Sequence, residues 1–392
     1  MRVLLNAVSA KMGGAANYIR NIARELEALS PEDEFICVLP EKQVDTAREL
    51  ARNFKVIGTP AANGTYLQRL WFDQVTLRRM LQTEGIDVLY STANLGMLAC
   101  PCRQVLLVRN MLYFSSAYDQ LLATAGLKAR FENAMRRWLV CLSVRSADTV
   151  LTPSRTMLGA LLERCPAALG KAVVNYYGVR PQRVNGAIAQ RAHITQGPVT
   201  LLYSSLYAEH KNVGTLLRAL QELMKSDVAY RLLTPADPDW QGPRRSAIWH
   251  RDSEMARDPE LRRRIEFTGV LDGRALAGLY TRSDVFVYPS TIESFGHPLL
   301  EAMAAGLPVV AADAPINREL CADSAIYFSP YDALDCARQI RRVIEDVCLA
   351  DELIRRGMER SRGFQWREHG FRLIAALANK DSALPAAAAA RN

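Results

Sequence analysis

Residues 290–310 read STIESFGHPLLEAMAAGLPVV, and two carboxylates, Glu293 and Glu301, stand eight positions apart in them. Gly296 and Pro298 lie between, and a run of small and apolar residues with helical character follows. Proline is preorganised for the first helical position, so the spacing predicts a helix that starts at Pro298 with His297 as its cap. A helix start presents unpaired backbone N–H groups and the positive end of the dipole, which suits a phosphate. Gly296 lets the backbone approach a ligand closely. Glu301 then lies about one turn inside the helix, and Glu293 lies on the loop after a strand ending at Tyr288. Each carboxylate can accept hydrogen bonds from hydroxyls at one end of a bound molecule, with a diphosphate between them. A nucleotide sugar has that layout. An ordinary pair of surface carboxylates is the plain alternative. A glycosidase pair uses two acids as well, but those flank a sugar from different elements.

The elements that must position these residues alternate between short apolar runs and helical patterns. Strands are predicted over 3–8, 35–39, 54–57, 88–90, 105–108, 149–151 and 173–176, and again over 199–204, 230–233, 265–268, 285–288, 308–311 and 325–328. Helices are predicted over 15–29, 212–225, 274–282, 298–305, 333–347 and 366–377, with Ile19, Ile22, Leu26 and Leu29 at helical spacing in the first. Gly178, Pro181, Gly186, Gly197 and Pro198 interrupt the alternation and mark a boundary. The expected domains are 1–180, 181–364 and a final helix with a frayed tail over 365–392, the helix turning back toward the first domain. Short-loop α/β alternation implies parallel sheets covered on both faces, and two such units in tandem imply a cleft between strand ends.

The 392 residues allow two or three domains, and the apolar half of the composition supplies ample core. No apolar run approaches the roughly 20 residues of a membrane span, and MRVLLNAVSA reads as a first strand and not as a secretion signal. The eight cysteines are scattered, with only Cys100 and Cys102 close together, which suits reduced thiols in a cytoplasmic protein better than a metal site. The net charge of +8 is uneven. Residues 1–180 hold 22 Lys and Arg against 15 Asp and Glu, and the remainder holds 27 against 26. The basic half is the one suited to meet something anionic.

The 290–310 stretch resembles the E-x₇-E motif of retaining GT-B glycosyltransferases, specifically glycosyltransferase family 4, through its E-x-F-G-x-P core and the EAMAAGLPVVAAD that follows. Other segments extend the resemblance in the family's order. Gly13-Gly14-Ala15-Ala16-Asn17-Tyr18 is similar to its glycine loop, and Asn175-Tyr176-Tyr177-Gly178-Val179 to its interdomain turn. Residues 205–212 (SLYAEHKN) are similar to its phosphate-binding segment, and Phe267-Thr268-Gly269-Val270-Leu271 to its base-contacting turn. The resemblance implies an α/β fold of GT-B architecture, two Rossmann-like domains with parallel sheets facing across a cleft. It also implies transfer of a sugar from a nucleoside-diphosphate donor to a glycan, with no cofactor and no metal. Glu293 would bind donor-sugar hydroxyls and Glu301 the ribose. Backbone amides over Phe295–Leu299 (Phe295, Gly296, His297, Pro298, Leu299), with Ser294 and Ser205 nearby, would hold sugar and phosphate. Lys211 would neutralise the leaving diphosphate, Gly13 and Gly14 would approach it from the first domain, and Val270 and Leu271 would flank the base. Asn17, Tyr18, Arg109 and Asn110 would lie on the acceptor side.

Two positions depart from the family's pattern. Leu206 stands where an arginine is usual, with Arg282, Arg318 or Arg109 as possible replacements, and Asn110 stands where a histidine is frequent. Asparagine can orient a hydroxyl but takes no proton near neutral pH. A front-face retaining mechanism needs no base there, because the departing phosphate oxygen can accept the acceptor's proton. A non-catalytic sugar-nucleotide-binding relative, or another GT-B chemistry such as an epimerase or phosphorylase, is the alternative. Asp237-Pro238-Asp239 is read as a turn, and His193, His250 and His369 show no partners in the sequence.

Residues 127–145 (LKARFENAMRRWLVCLSVR) carry Lys128, Arg130, Arg136, Arg137 and Arg145 against Glu132 alone, with Phe131, Met135, Trp138, Leu139 and Leu142 at helical spacing. Either this helix packs its apolar stripe into the core, or it lies near an anionic bilayer. The second reading suggests an acceptor anchored at the inner membrane, such as a lipid-linked oligosaccharide or lipopolysaccharide precursor. No nucleic-acid-binding motif accompanies the basic residues. A mannose or rhamnose type of donor is the expectation carried by the resemblance.

Overall fold

A computed structural model of the chain describes residues 1–10, 14–44, 53–180, 198–239, 246–271 and 273–379. Two compact units emerge. The first comprises Met1–Ser115, Lys128–Gly178 and the chain from Gln365 on; the second comprises Ser116–Leu127 and Val179–Phe364. The short segment Ser116–Leu127, expected in the first domain, therefore groups with the second, where the Tyr118 ring meets the edge of His210 at 6.0 Å.

Among the described residues the first unit carries seven parallel strands: β1 (Arg2–Asn6), β2 (Glu34–Pro40), β3 (Phe54–Thr59), β4 (Val88–Ser91), β5 (Arg103–Leu107), β6 (Thr149–Thr152) and β7 (Ala172–Val174), in the order β3-β2-β1-β4-β5-β6-β7. The second carries six: β8 (Val199–Leu202), β9 (Tyr230–Thr234), β10 (Ile265–Phe267), β11 (Val285–Tyr288), β12 (Val309–Ala312) and β13 (Ile326–Phe328), in the order β10-β9-β8-β11-β12-β13. Every pairing is parallel, with Val3 opposite Val88 and Val285 opposite Leu201. Each unit starts in the middle of its sheet, runs to one edge and then resumes on the other side. The carboxyl ends of β1/β4 and β8/β11 are thus the points where ligands settle in open sheets of this kind. Each expected strand has its counterpart, because strands covered on both faces read as unbroken apolar runs; β4, β11 and β12 are buried throughout.

Helices fill the connections, among them α1 (Gly14–Leu29), α2 (Ser116–Ala125), α3 (Leu127–Ser146), α4 (Val213–Leu223), α5 (Gly273–Thr281), α6 (His297–Ala304) and α7 (Trp366–Leu377). Ile19, Ile22 and Leu26 of α1 are buried as their spacing requires. The last helix, α7, completes the first unit. A side chain at Gly370 would meet Leu29 Cδ1 at 2.9 Å and Glu25 Cβ at 3.0 Å, so α7 lies close against α1. His369, without a visible partner in the sequence, is 1% exposed and fully engaged. Its Nδ1 faces the Tyr176 carbonyl at 3.0 Å and its Nε2 the Tyr18 hydroxyl at 3.0 Å. A carbonyl only accepts, so Nδ1 carries the proton and Nε2 accepts from Tyr18. Asn175 Nδ2 donates to the His369 carbonyl at 3.2 Å, and the Tyr18 and Tyr90 hydroxyls are hydrogen-bonded to each other.

Helix α3 corrects the core-packing reading of its apolar stripe. Asn133, Val140, Ser143 and Val144 are its buried residues, whereas Leu127, Phe131, Met135 and Trp138 are exposed. The stripe is split: Leu139 and Leu142 are half-buried, and the inner face is held by Val140 and Val144 together with Asn133, whose Nδ2 donates to the Leu112 carbonyl at 3.2 Å. The described residues include no helix long and apolar enough to cross a membrane. The eight cysteines are free thiols.

Gly178 abuts the backbone of Gln365 and Trp366, and a Cβ there would overlap the Trp366 nitrogen. Backbone cannot swing aside as a side chain can, so Gly178→Ala is expected to cost at least about 2 kcal/mol in denaturant unfolding. Gly159→Ala, inside the helix Arg155–Arg164 where the added Cβ meets nothing within 4 Å, serves as the control and should raise stability by about 0.5–1 kcal/mol.

Candidate functional site

Helix α6 begins one residue earlier than its sequence suggests. His297 is already helical, Pro298 lies in the first turn, and the cap is Gly296 with φ +100° and ψ +50°. Only glycine holds that left-handed conformation without strain, which explains its presence beyond close approach alone. The expected run of five amide donors also shortens. Pro298 has none, and the Leu299 N–H already donates to the Gly296 carbonyl at 3.1 Å, while the Leu299 side chain is wholly in the core. Donors for an anion are therefore confined to positions 295–297. Phe295 anchors this loop with its ring 5.0 Å from His297 and 6.2 Å from Phe364. Ser294 and His297 are half-buried.

Glu293 sits at the carboxyl end of β11 and Lys211 on the turn that follows β8, so the β8/β11 seam brings them together. Lys211 Nζ lies 3.2 Å from Glu293 Oε1, with about a fifth of each side chain exposed (21% and 17%). The Tyr288 hydroxyl donates to the same carboxylate oxygen at 3.1 Å. Burial alone pushes the Glu293 carboxyl up, but the Lys211 ammonium, His210 and these hydrogen bonds overcome it and hold the carboxyl below its ordinary value. Lys211 shows the converse: burial lowers it, and Glu293 with Tyr203 raises it above the usual amine value. The lysine turn is stapled to the strand by Asn212, a left-handed residue (φ +56°) whose Nδ2 donates to the Pro289 carbonyl at 3.2 Å and whose Oδ1 accepts from Thr215 at 2.7 Å. Asn317 holds the other side by donating to the Ser290 and Ala312 carbonyls at 2.9 Å each.

Glu301 has a different environment. The Tyr280 hydroxyl donates to its Oε2 at 2.9 Å, and Ser204 Oγ lies 2.9 Å from the same hydroxyl. Burial raises the Glu301 carboxyl, and the bond from Tyr280 offsets only part of that. Sequence reasoning placed both acids but missed the buried tyrosines behind them, Tyr203, Tyr280 and Tyr288. The available signal was a tyrosine at, or one residue past, the carboxyl end of a strand (Tyr288, Tyr203), where a polar tip faces the ligand side. It missed His210 as well, one of the neighbours that lower the Glu293 carboxyl.

Other expected residues fall as follows. Ser205 is buried just past β8, Val270 is 61% exposed beyond Gly269 (φ +67°), and Leu271 is half-buried. Arg318 is bound by both carboxylate oxygens of Asp313 at 2.7 Å, and Arg282 lies 3.8 Å from Glu266, so two of the three candidates for the second cation have acidic partners. Asp237 accepts the Asp239 N–H at 2.9 Å, and Asp239 is held by Ser253 and Arg257; this is a turn, as its sequence indicates. Within the first unit Gly13 lies outside the described residues, Gly14 opens α1 and Asn17 is exposed. Tyr18 is 2% exposed with its hydroxyl committed to Tyr90 and His369, so it supports the wall and cannot touch an acceptor directly. Arg109 is half-buried over the Tyr18 ring at 5.7 Å. Asn110 caps a turn, its Oδ1 accepting from Leu112 N at 3.2 Å. Asn94, unremarked in the sequence, fixes both: its Oδ1 accepts from Arg109 N at 2.8 Å and Asn110 N at 3.0 Å.

Two family models meet end to end along this chain. Residues 12–183 match Glycosyltransferase Family 4, and residues 186–360 match Glycosyl transferases group 1. The chain belongs to the group 1, family 4 glycosyltransferases. Among curated relatives, this family 4 chain is 28% identical to O-antigen chain mannosyltransferase B of Escherichia coli over 166 residues, 42% of each chain. It is 29% identical to glycogen synthase of Mycobacterium tuberculosis over 250 residues, 62% of this chain and 56% of that protein. The matched region thus spans about half the length of these relatives. Among solved structures, sucrose-phosphate synthase from Thermosynechococcus elongatus superposes with a TM-score of 0.74 at 20% identity, covering 98% of this chain and 100% of that one. Anabaena HepE in complex with UDP and glucose superposes at 0.68 and 18% identity, covering 96% and 99%. The fold is GT-B, with two Rossmann-like units.

The two acids give opposite responses to pH. A carboxyl raised by folding contributes stability that is present below its unfolded value and lost as pH rises through its folded value. Glu301→Gln keeps an oxygen for Tyr280 and removes the ionisation. It is expected to raise Tm on the order of 2 °C at neutral pH, with no difference below about pH 4. Lys211→Ala leaves the Glu293 carboxylate without its cation and is expected to cost about 1–3 kcal/mol at neutral pH, read by denaturant unfolding.

Proposed function

We propose that this chain is a retaining glycosyltransferase that moves a hexose or deoxyhexose, of the mannose or rhamnose type, from a nucleoside-diphosphate sugar to a lipid-carried glycan, either a lipid-linked oligosaccharide or a lipopolysaccharide precursor. The observation that carries the reading is the placement of two differently tuned acids around one helix start: Glu293, held ionised by Lys211, before α6, and Glu301 inside it. A ligand with hydroxyls at both ends and a dianion between them fits that order of charges. The sugar hydroxyls donate to Glu293, the ribose hydroxyls donate to Glu301, and the diphosphate takes the α6 N-terminus and Lys211. The mannosyltransferase relative supports the sugar class, and the UDP-bound neighbour supports a nucleoside diphosphate.

Donor binding is then an exchange of partners. The diphosphate draws Lys211 from Glu293, and a sugar hydroxyl replaces the ammonium at the carboxylate. Bond cleavage sends the C1–O electron pair to the β-phosphate, where Lys211 and the helix dipole stabilise the growing charge. The acceptor oxygen bonds to C1 on the face being vacated, and its proton passes to the departing phosphate oxygen. Positive charge comes from Lys211 and backbone donors, so the proposal uses no metal and no cofactor besides the donor. The proposed setting is the cytoplasmic side of a membrane, and no nucleic acid takes part.

A melting screen against GDP, UDP, dTDP and ADP should show one clear shift, since ligand at 100 times its Kd adds about 2.7 kcal/mol. With the matching donor sugar, Glu293→Ala is expected to lower kcat at least about 100-fold, and Glu301→Ala to raise the donor KM about tenfold with kcat nearly kept. Small, equal effects would contradict the assigned roles. Tight donor binding without nucleoside diphosphate release, with acceptor present, would leave a binding protein and not an enzyme.

A further inference from the structure

Helix α3 turns part of its apolar stripe to solvent. Phe131 is 66% exposed, Met135 42% and Trp138 59%. At about 100° per residue the three fall within roughly 60° of arc, opposite the buried Asn133, Val140 and Val144. Lys128, Arg130 and Arg145 are also exposed on this helix. The one acid of the helix, Glu132, lies 3.7 Å from Arg136 and away from Lys128, Arg130 and Arg145 in the ion pairs observed. Trp71 and Leu98 of the same unit add further exposed apolar surface, at 66% and 44%. Solvent-facing phenylalanine and tryptophan flanked by arginine and lysine do not suit a water-exposed helix, which stays polar on its outer face. Aromatic residues, methionine and arginine are common at protein interfaces too, but five cations against one acid on this helix favour an anionic surface as the partner. They do suit the boundary of an anionic bilayer, where aromatic rings enter the headgroup region and cations meet phosphates.

We infer that the exposed face of α3, centred on Phe131, Met135 and Trp138, docks on the surface of an anionic lipid bilayer, with Lys128, Arg130 and Arg145 meeting its headgroups. The helix lies in the plane of the membrane and does not span it. This surface is independent of the Glu293–Lys211 site, and its test needs no donor and no turnover.

The full chain is floated with vesicles of phosphatidylcholine containing about 30% phosphatidylglycerol, and with phosphatidylcholine alone, at low and high salt. Binding is expected with the anionic vesicles at low salt and should fall at least about tenfold at 0.5 M salt. Phe131→Ser/Trp138→Ser should lose binding about tenfold or more at an unchanged melting temperature. Lys128→Gln/Arg130→Gln should lose it selectively for the anionic vesicles. No binding at low salt, equal binding to both vesicle types, or undiminished binding by both variants would overturn the inference. So would a wild-type dimer in light scattering that becomes monomeric in the Phe131/Trp138 variant, because a second copy would then own the face.

Discussion

An ammonium and a carboxylate held 3.2 Å apart, at the seam where the second sheet reverses direction, set the terms for everything around them. A carboxylate with most of its surface removed from water is costly unless a cation and hydrogen bonds replace the lost hydration. The chain supplies Lys211 and the Tyr288 hydroxyl. It then fixes the lysine turn with the left-handed Asn212 and fixes the strand end with Asn317. Glu301 shows the opposite solution. Among the described residues it receives a phenol hydroxyl but no cation, so its charge remains unfavourable in the folded chain. One acid is thus settled and the other strained, although their spacing in the sequence makes them look equivalent.

The sheet architecture was legible because parallel strands buried on both faces carry an unmistakable apolar signature, and every predicted strand overlaps an observed one. The two acids were legible because a glycine, a proline and small residues mark a helix start near them. Less legible was anything decided by three-dimensional neighbours. The cap moved from His297 to Gly296 because backbone conformation, not side-chain type, ends the loop. His369 gained partners from residues nearly two hundred or more positions away, Tyr176 and Tyr18. Tyr280 sits on a different helix from Glu301, and no spacing rule joins them.

Helix α3 illustrates a further limit. Helical periodicity locates an apolar stripe but not the direction in which it points, and here Asn133 and Ser143 take the inside. The same helix shows why the uneven charge was informative: the cations of the first half concentrate on an element that also exposes aromatic surface. Charge and exposure together say more than either does alone.

The position of α7 has a consequence for how the polypeptide comes off the ribosome. Trp366, His369, Leu373, Ala376 and Leu377 are all buried in a unit whose other strands and helices are complete by Gly178. Their piece of that core is synthesised roughly 190 residues later, a delay on the order of 10–40 s. Until then the nascent first unit keeps the flank of α1 bare and the Tyr18–Tyr90 hydroxyl pair without its imidazole. The half made first is therefore the half finished last, and the growing chain must hold an open apolar groove while its successor folds.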